Sequence, residues 1–240
     1  MTKKSINTAV ILAAGLGSRF GERTKNQPKG FVEVEGEALI ERSIRLLKEQ
    51  GIQNIIIGTG HQNQHYKNIK AKYNLTIYEN EEYSTTGSIF TLSLAKPFVS
   101  TDILLLESDI LYQPKALESL LNDEHNNSIL TSGFTQSNDE VYVSADESMN
   151  LTGLSKKPES FDHIIGELVG ISKISYDLFS DLEKFVNSDL THKKWDYEMG
   201  IVAFSKKHHV KALLNKEIVW CEIDNETHLV RAINEIYPQL

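Results

Sequence analysis

"AVILAAGLGSRF", residues 9–20, sets a continuously apolar run directly against a glycine-rich loop. Such a run suits a strand covered on both faces of a parallel sheet. Glycines at its end let a ligand approach the backbone closely. Two readings share this start: a dinucleotide cradle, and a site for chemistry on a nucleotide phosphate. The dinucleotide fingerprint needs glycine at position 20, where Phe20 stands, and no acidic residue closes the next strand as it should. A Walker loop fails as well, because the glycines lead into no Gly-Lys-Ser/Thr. They lead instead to Arg19, a polar stretch, and Lys29 in "QPKGFVEV". Backbone N–H groups around Gly15 and Gly17 can form a nest for phosphate oxygens. Arg19 adds a forked cation and Lys29 a point charge. Together they suit a triphosphate whose charge must be held while a bond breaks. A tight turn with surface cations explains the loop alone equally well.

Working outward, "IIIGT" (55–59) and "ILLLE" (103–107) repeat the short apolar pattern. Between the first run and 55–59, "LIERSIRLLKEQG" puts Leu39, Ile40, Ile44 and Leu47 on one helical face, with Gly51 as the stop. "PKALESLLND" places Pro114 at a first helical turn. Strand alternating with helix predicts an α/β, Rossmann-like sheet, mixed but mostly parallel and flanked by helices. The middle of the chain differs. "SILTSGF", "EVYVSADESMNLTGLS" and "HIIGELVGISKIS" read as β segments, leading into a helix from Tyr176 to Asn187. They predict a small antiparallel extension that covers a substrate or serves as a dimer surface. "WDYEMGIVAFS" and "ETHLVRAINEIY" read as helices around a strand "IVWCEI". With no repeat and no linker, one domain over 1–240 is expected, its nucleotide half in 1–130 and its acceptor half in 131–240.

"ILLLESDI" (103–110) ends a strand in acid-Ser-acid and delivers Asp109 to the carboxyl edge of the sheet, where open α/β folds bind ligands. A carboxylate opposite a phosphate-binding loop is a way to hold Mg²⁺. Glu107 reads as a residue that orients the loop. "WCEIDNETH" (220–228) repeats the device with Asp224. Turn or capping chemistry accounts for either Asp alone. Two strand-end carboxylates and a cationic loop form a constellation.

Among 240 residues, 24% charged and 40% hydrophobic describe a globular chain, and a net charge of −8 argues against general nucleic-acid or anionic-membrane binding. Cys221 is the only cysteine, which excludes an intrachain disulfide and a cysteine-based zinc site. The first apolar run is too short to span a bilayer and lacks a signal-type cleavage site, so a cytoplasmic chain is expected.

The ordered set "LAAGLGSRF", "PKG", "TGSIFTLSLA", "LLLESDILY", "GELVGI" and "EIDNETHL" resembles the small cytidylyltransferases of the nucleoside-triphosphate transferase fold. The likeness is nearer to those acting on 2-aminoethylphosphonate, with the phosphocholine enzymes as neighbours. The resemblance implies transfer of CMP from CTP to a small phosphonate or phosphate, releasing pyrophosphate, with Mg²⁺ as cofactor. Carried over by position, Leu12, Ala13, Ala14, Gly15, Gly17, Ser18 and Arg19 would wrap the phosphates. Lys29 would stabilise the reacting α-phosphate, and Asp109 and Asp224 would hold the metal. Thr86, Gly87 and Ser88 would meet the cytosine, with Ser108 beside the nucleotide. A helix start capped by Thr86 or Ser88 is the plainer account of "TTGS".

The acceptor is less legible. A quaternary ammonium calls for aromatic faces, and Tyr142, Trp195 and Tyr197 are the rings on offer. A primary ammonium calls for oxygens, from Glu140, Glu167 or Glu198. Lys156 is a cation for the phosphonate, or half of a solvated lysine pair. "WDYE" would bring Trp195 and Glu198 to one helix face. Glu167, amid apolar residues, needs a partner if buried. His61 reads as a loop or nucleotide-contacting residue and not as a base. Alternatives are a phosphocholine, hydroxyalkylphosphonate or sugar-1-phosphate acceptor, or a regulator that binds CTP without turnover.

Overall fold

The computed structural model describes residues 6–137 and 139–240. In chain order, the first half contains strands β1 (Thr8–Ala13), β2 (Glu33–Val34) and β3 (Glu37–Ala38), helix α1 (Leu39–Glu49), β4 (Asn54–Thr59), α2 (Gln64–Tyr73), β5 (Thr76–Glu79), α3 (Ser88–Ser93), β6 (Ile103–Glu107), β7 (Ile110–Tyr112) and α4 (Lys115–Asn122). The second half has β8 (Ser128–Ser132), β9 (Tyr142–Ala145), β10 (Leu151–Ser155), β11 (Gly166–Ile174), α5 (Tyr176–Ser188), α6 (Tyr197–His208), β12 (Lys211–Leu214), β13 (Trp220–Glu222) and α7 (Glu226–Arg231).

The three apolar runs pair as expected: β1 lies between β4 and β6, parallel to both. Every residue of β1 is buried, which is why its sequence shows no polar alternation. α1 ends where Gly51 takes φ +84°, a left-handed stop that costs glycine little. Pro114 precedes α4 as its cap residue, one place earlier than expected.

The antiparallel part belongs to the same sheet. β11 pairs antiparallel with β6 and continues the order outward through β9 to β10, while β8 and β12 pair with each other and β8 with β11. β5 and β12 carry little signal in the sequence: both are four residues long and only partly buried. Two apolar cores lie on the sheet's opposite faces, one around Ile11, Ile57 and Leu106, the other around Val10, Ile56 and Leu105. A third gathers Phe20, Leu39, Ile223 and Leu229. Phe20 is 4% exposed, so the residue that breaks the dinucleotide fingerprint is the anchor that seats the loop.

Candidate active site

A cavity of about 450 Å³ opens at the carboxyl ends of β1 and β6, a size typical of small-molecule sites. The whole loop from Leu12 to Arg19 lines it, with Lys29, Thr86, Gly87, Ser88, Ser108, Asp109, Lys156, Tyr197 and Glu198. Gly17 has φ +65° and starts a short 3₁₀ segment, the turned backbone a phosphate nest requires.

Lys29 is the hub. Its Nζ donates to Asp109 Oδ2 at 2.6 Å and to Asp224 Oδ1, tying a loop residue to two strand ends far away in sequence. Burial alone would lower the Lys29 pKa, but the charges of Asp109 and Asp224 outweigh it and hold the ammonium above its ordinary value. Arg19 pairs with Asp224, its Nη2 2.8 Å from Oδ2, and with Asp139. Lys156 donates to Asp139 at 2.5 Å. The capping account of Asp224 fails for a physical reason. Asn225 caps α7 by accepting from the His228 N–H at 2.9 Å, which leaves the Asp224 carboxylate, 0% exposed, for the site. Asp109 likewise caps no helix. It sits in the bend between β6 and β7 and faces Lys29.

The wall also carries two acids, Glu222 and Asp139, that the sequence does not single out. Glu107, Asp109 and Glu222 lie with ligand oxygens within 4.8 Å of one another, as do Asp139, Glu222 and Asp224. Glu222 has a signal: alternation along β13 puts it two residues from both Trp220 and Asp224, on their face. Asp139 has none, because it reaches the cavity from the β8–β9 connection. Among the described residues, carboxylates outnumber permanent cations in the cavity wall: Glu107, Asp109, Asp139, Glu140, Asp196, Glu198 and Glu222 face only Arg19, Lys29 and Lys156. Burial, then repulsion from Asp109, raises Glu107 to about 7, and the same two causes raise Glu222 to about 10. These oxygens cannot all ionise together without a cation. The donor set, all hard oxygen, therefore fits a divalent metal of the Mg²⁺ or Mn²⁺ kind.

The acceptor residues divide. Tyr197 donates its hydroxyl to Glu107 at 2.7 Å, and Glu198 borders the cavity with a buried Oε2 that accepts no hydrogen bond. Trp195 and Glu198 do not share a helix face, since α6 begins only at Tyr197. Trp195 packs on Phe185, with ring centroids 5.0 Å apart, outside the cavity lining. Tyr142 leaves the site because strand alternation turns it toward Phe134 while Val141 lines the cavity. Glu167 is buried and has its partner, accepting from the Thr135 backbone at 3.0 Å and hydroxyl at 2.7 Å. It holds a wall residue and does not line the cavity.

"TTGS" does not act as a side-chain cap. Ser88 Oγ accepts from the Tyr197 N–H at 2.8 Å, and Thr86 Oγ1 donates to the Glu82 carbonyl at 2.9 Å. Gly87 is required by a close approach, because a Cβ there would stand 2.1 Å from the Trp195 carbonyl oxygen. This stretch ties the nucleotide half of the cavity to the start of α6. His61 is a loop residue, with Nε2 3.2 Å from the Thr24 carbonyl.

Burial first, then the charge of Glu107, raises the Glu198 carboxyl from 4.5 to about 8. Below pH 4.5 folded and unfolded chains both keep the proton. Between 4.5 and 8 the unfolded chain releases it and the folded one does not, so stability falls as pH rises through that window. Glu198→Gln removes this loss. Its melting temperature relative to wild type should climb between about pH 5 and pH 9 without divalent metal. A constant difference across that range would show that Glu198 ionises normally.

An open α/β sheet with a glycine loop, a bridging lysine and strand-end acids is an arrangement suited to chemistry on a nucleotide phosphate. Residues 9–190 match the MobA-like NTP transferase domain, and the chain belongs to that family. It is 27% identical to CTP:phosphoglutamine cytidylyltransferase of Campylobacter jejuni, over 90% of this chain and 95% of that protein. It is 37% identical to choline-phosphate cytidylyltransferase of Haemophilus influenzae, over 42% of this chain and 43% of the relative. The solved inositol-1-phosphate CTP transferase of T. maritima superposes with a TM-score of 0.81 at 19% identity, covering 97% of this chain and 98% of that one. At that identity the likeness concerns the fold. No helix among the described residues is long and apolar enough to cross a membrane.

Proposed function

We propose that this chain transfers CMP from CTP to a small phosphorylated or phosphonate acceptor, most plainly one bearing a primary ammonium such as 2-aminoethylphosphonate. The observation that carries the reading is Lys29 bridging Asp109 and Asp224 across from the glycine loop. That arrangement serves charge neutralisation at a transferring phosphoryl group and offers no covalent nucleophile. CTP as donor is supported by the similarity to relatives named for its use.

The acceptor oxygen attacks the α-phosphorus in line, a new P–O bond forms, and the bond to the β-phosphate oxygen breaks to release pyrophosphate. The nucleophile is already an anion, so no general base is needed. Lys29 lies beside the reacting phosphate; Arg19 and the Gly15–Gly17 backbone hold the leaving oxygens; Lys156 neutralises the acceptor. Thr86, Gly87, Ser88 and Ser108 border the base and ribose. Asp109 and Asp224 would hold Mg²⁺, with Glu222 beside them. When bound, the ion supplies electrophilic charge to the phosphate oxygens. Residues 1–130 then serve mainly the nucleotide and 131–240 the acceptor and the second metal carboxylate.

The ammonium preference rests on the cavity wall. Of the three rings nominated for a quaternary cage, only Tyr197 lines the cavity, together with Tyr66, Tyr83 and Trp220, and its hydroxyl is spent on Glu107. Glu198, with an unpartnered buried oxygen, suits a cation that donates hydrogen bonds. Pyrophosphate release from CTP and Mg²⁺ should be fastest with 2-aminoethylphosphonate, against phosphocholine, phosphoethanolamine and 2-hydroxyethylphosphonate. Preference for phosphocholine would overturn the ammonium reading. ATP and GTP should be much poorer donors, because a site that hydrogen-bonds one base edge leaves its polar groups unpaired against another. Equal use of all four triphosphates would remove the base-reading role given to 86–88.

A further inference from the structure

His228 lines the cavity, yet the transfer chemistry leaves it unused. It stands in the first turn of α7, four residues beyond Asp224. The backbone N–H of Asp224 points to its Nδ1 at 3.4 Å. A nitrogen that faces an N–H acts as acceptor, so the neutral ring carries its proton on Nε2. No described residue bonds Nε2, so the chain presents an oriented donor without a protein acceptor. Its surroundings say which half of the cavity it serves. Arg23, in the segment after the glycine loop, grips Glu226 at 2.7 Å, tying the first turn of α7 to that loop. Arg19 pairs with Asp224 immediately beside it. The first turn of α7, which carries His228, is thus tied to the loop side of the cavity, where Arg19 also pairs with Asp224.

We infer that His228 is a substrate-binding residue whose Nε2–H donates to the oxygens of the triphosphate that leave as pyrophosphate. The inference rests on the nucleotidyltransferase reading and adds a contact to it. A donor of this kind, unlike the metal carboxylates, brings no negative charge to the triphosphate, and it adds to Arg19 in holding the phosphate oxygens. The contact exists in substrate and product alike, so it acts on binding more than on the chemical step.

The test is calorimetric binding of inorganic pyrophosphate with Mg²⁺, together with steady-state constants, for wild type, His228→Ala and His228→Gln. His228→Ala should weaken pyrophosphate binding and raise the KM for CTP by about tenfold, the usual cost of a hydrogen bond to a charged group. The acceptor KM should stay within about twofold. His228→Gln, whose amide nitrogen reaches the Nε2 position, should recover most of the loss, which a residue that only packs would not allow. It also serves if the alanine variant does not fold. Pyrophosphate affinity and CTP KM unchanged in both variants, with wild type active, would overturn this inference alone. A wild type that binds neither pyrophosphate nor CTP would overturn the underlying reading with it.

Discussion

Asp109→Ala should fold normally and lose turnover by about 10²–10³-fold or more in kcat, the scale of removing one preorganised electrostatic group. The fold survives because Asp109 lends the structure its backbone: its carbonyl accepts from the Ile223 N–H at 2.9 Å, a bond alanine keeps. The carboxylate belongs to the site. It faces Lys29 at 2.6 Å and stands in the cluster with Glu107 and Glu222. Without it, one side of the proposed metal site is gone and Lys29 leans wholly on Asp224. Pyrophosphate release at saturating Mg²⁺, with a thermal melt as control, decides the matter. Retention of more than a tenth of wild-type activity would sink the two-carboxylate account, as would full wild-type turnover in excess chelator.

Lys29→Met should combine a kinetic loss with a metal-dependent loss of stability. The ammonium is the shared partner of two carboxylates, one of them fully buried. Removing one partner from a buried ion pair costs about 3–5 kcal/mol, most of it from the charge left behind. A divalent cation neutralises the same oxygens, so Mg²⁺ should restore much of the melting temperature and little of the activity. Turnover should fall about 10²–10³-fold with a smaller change in CTP affinity, because the role proposed for Lys29 lies where charge develops. A pure KM effect would make Lys29 a binding residue. A melting temperature indifferent to both mutation and metal would show that the bridge contributes nothing to the fold.

The two predictions rest on residues the sequence offers unequally. β1, β4 and β6 are legible because strands buried on both faces carry uninterrupted apolar runs, and α1 because its stripe and its glycine stop agree. Asp109 and Asp224 are legible as strand-end acids, but each has a capping account as good as the functional one. What separates the two accounts is Asn225, which caps α7 itself, and the bend at Asp109, which starts no helix. Asp139 is illegible in principle. Its place beside Arg19 and Lys156 depends on how the β8–β9 connection folds back, which no local period records.

The acceptor wall shows the limit of reading residue types. Trp195, Tyr142 and Glu167 are what a small cationic ligand would want, and each is claimed first by the protein. Trp195 joins Phe185 and His192, Tyr142 turns with its strand, and Glu167 bonds Thr135. Composition can nominate a side chain for a site; only packing decides whether the fold has already used it.

The most direct test of the account is to follow CTP, Mg²⁺ and 2-aminoethylphosphonate by ³¹P NMR with the purified protein. The account predicts that CTP signals decline as inorganic pyrophosphate and one new phosphonate–phosphate anhydride appear in equal amounts. Pyrophosphate or phosphate without the anhydride would mean hydrolysis instead of transfer. CTP left intact with every acceptor would contradict the central claim.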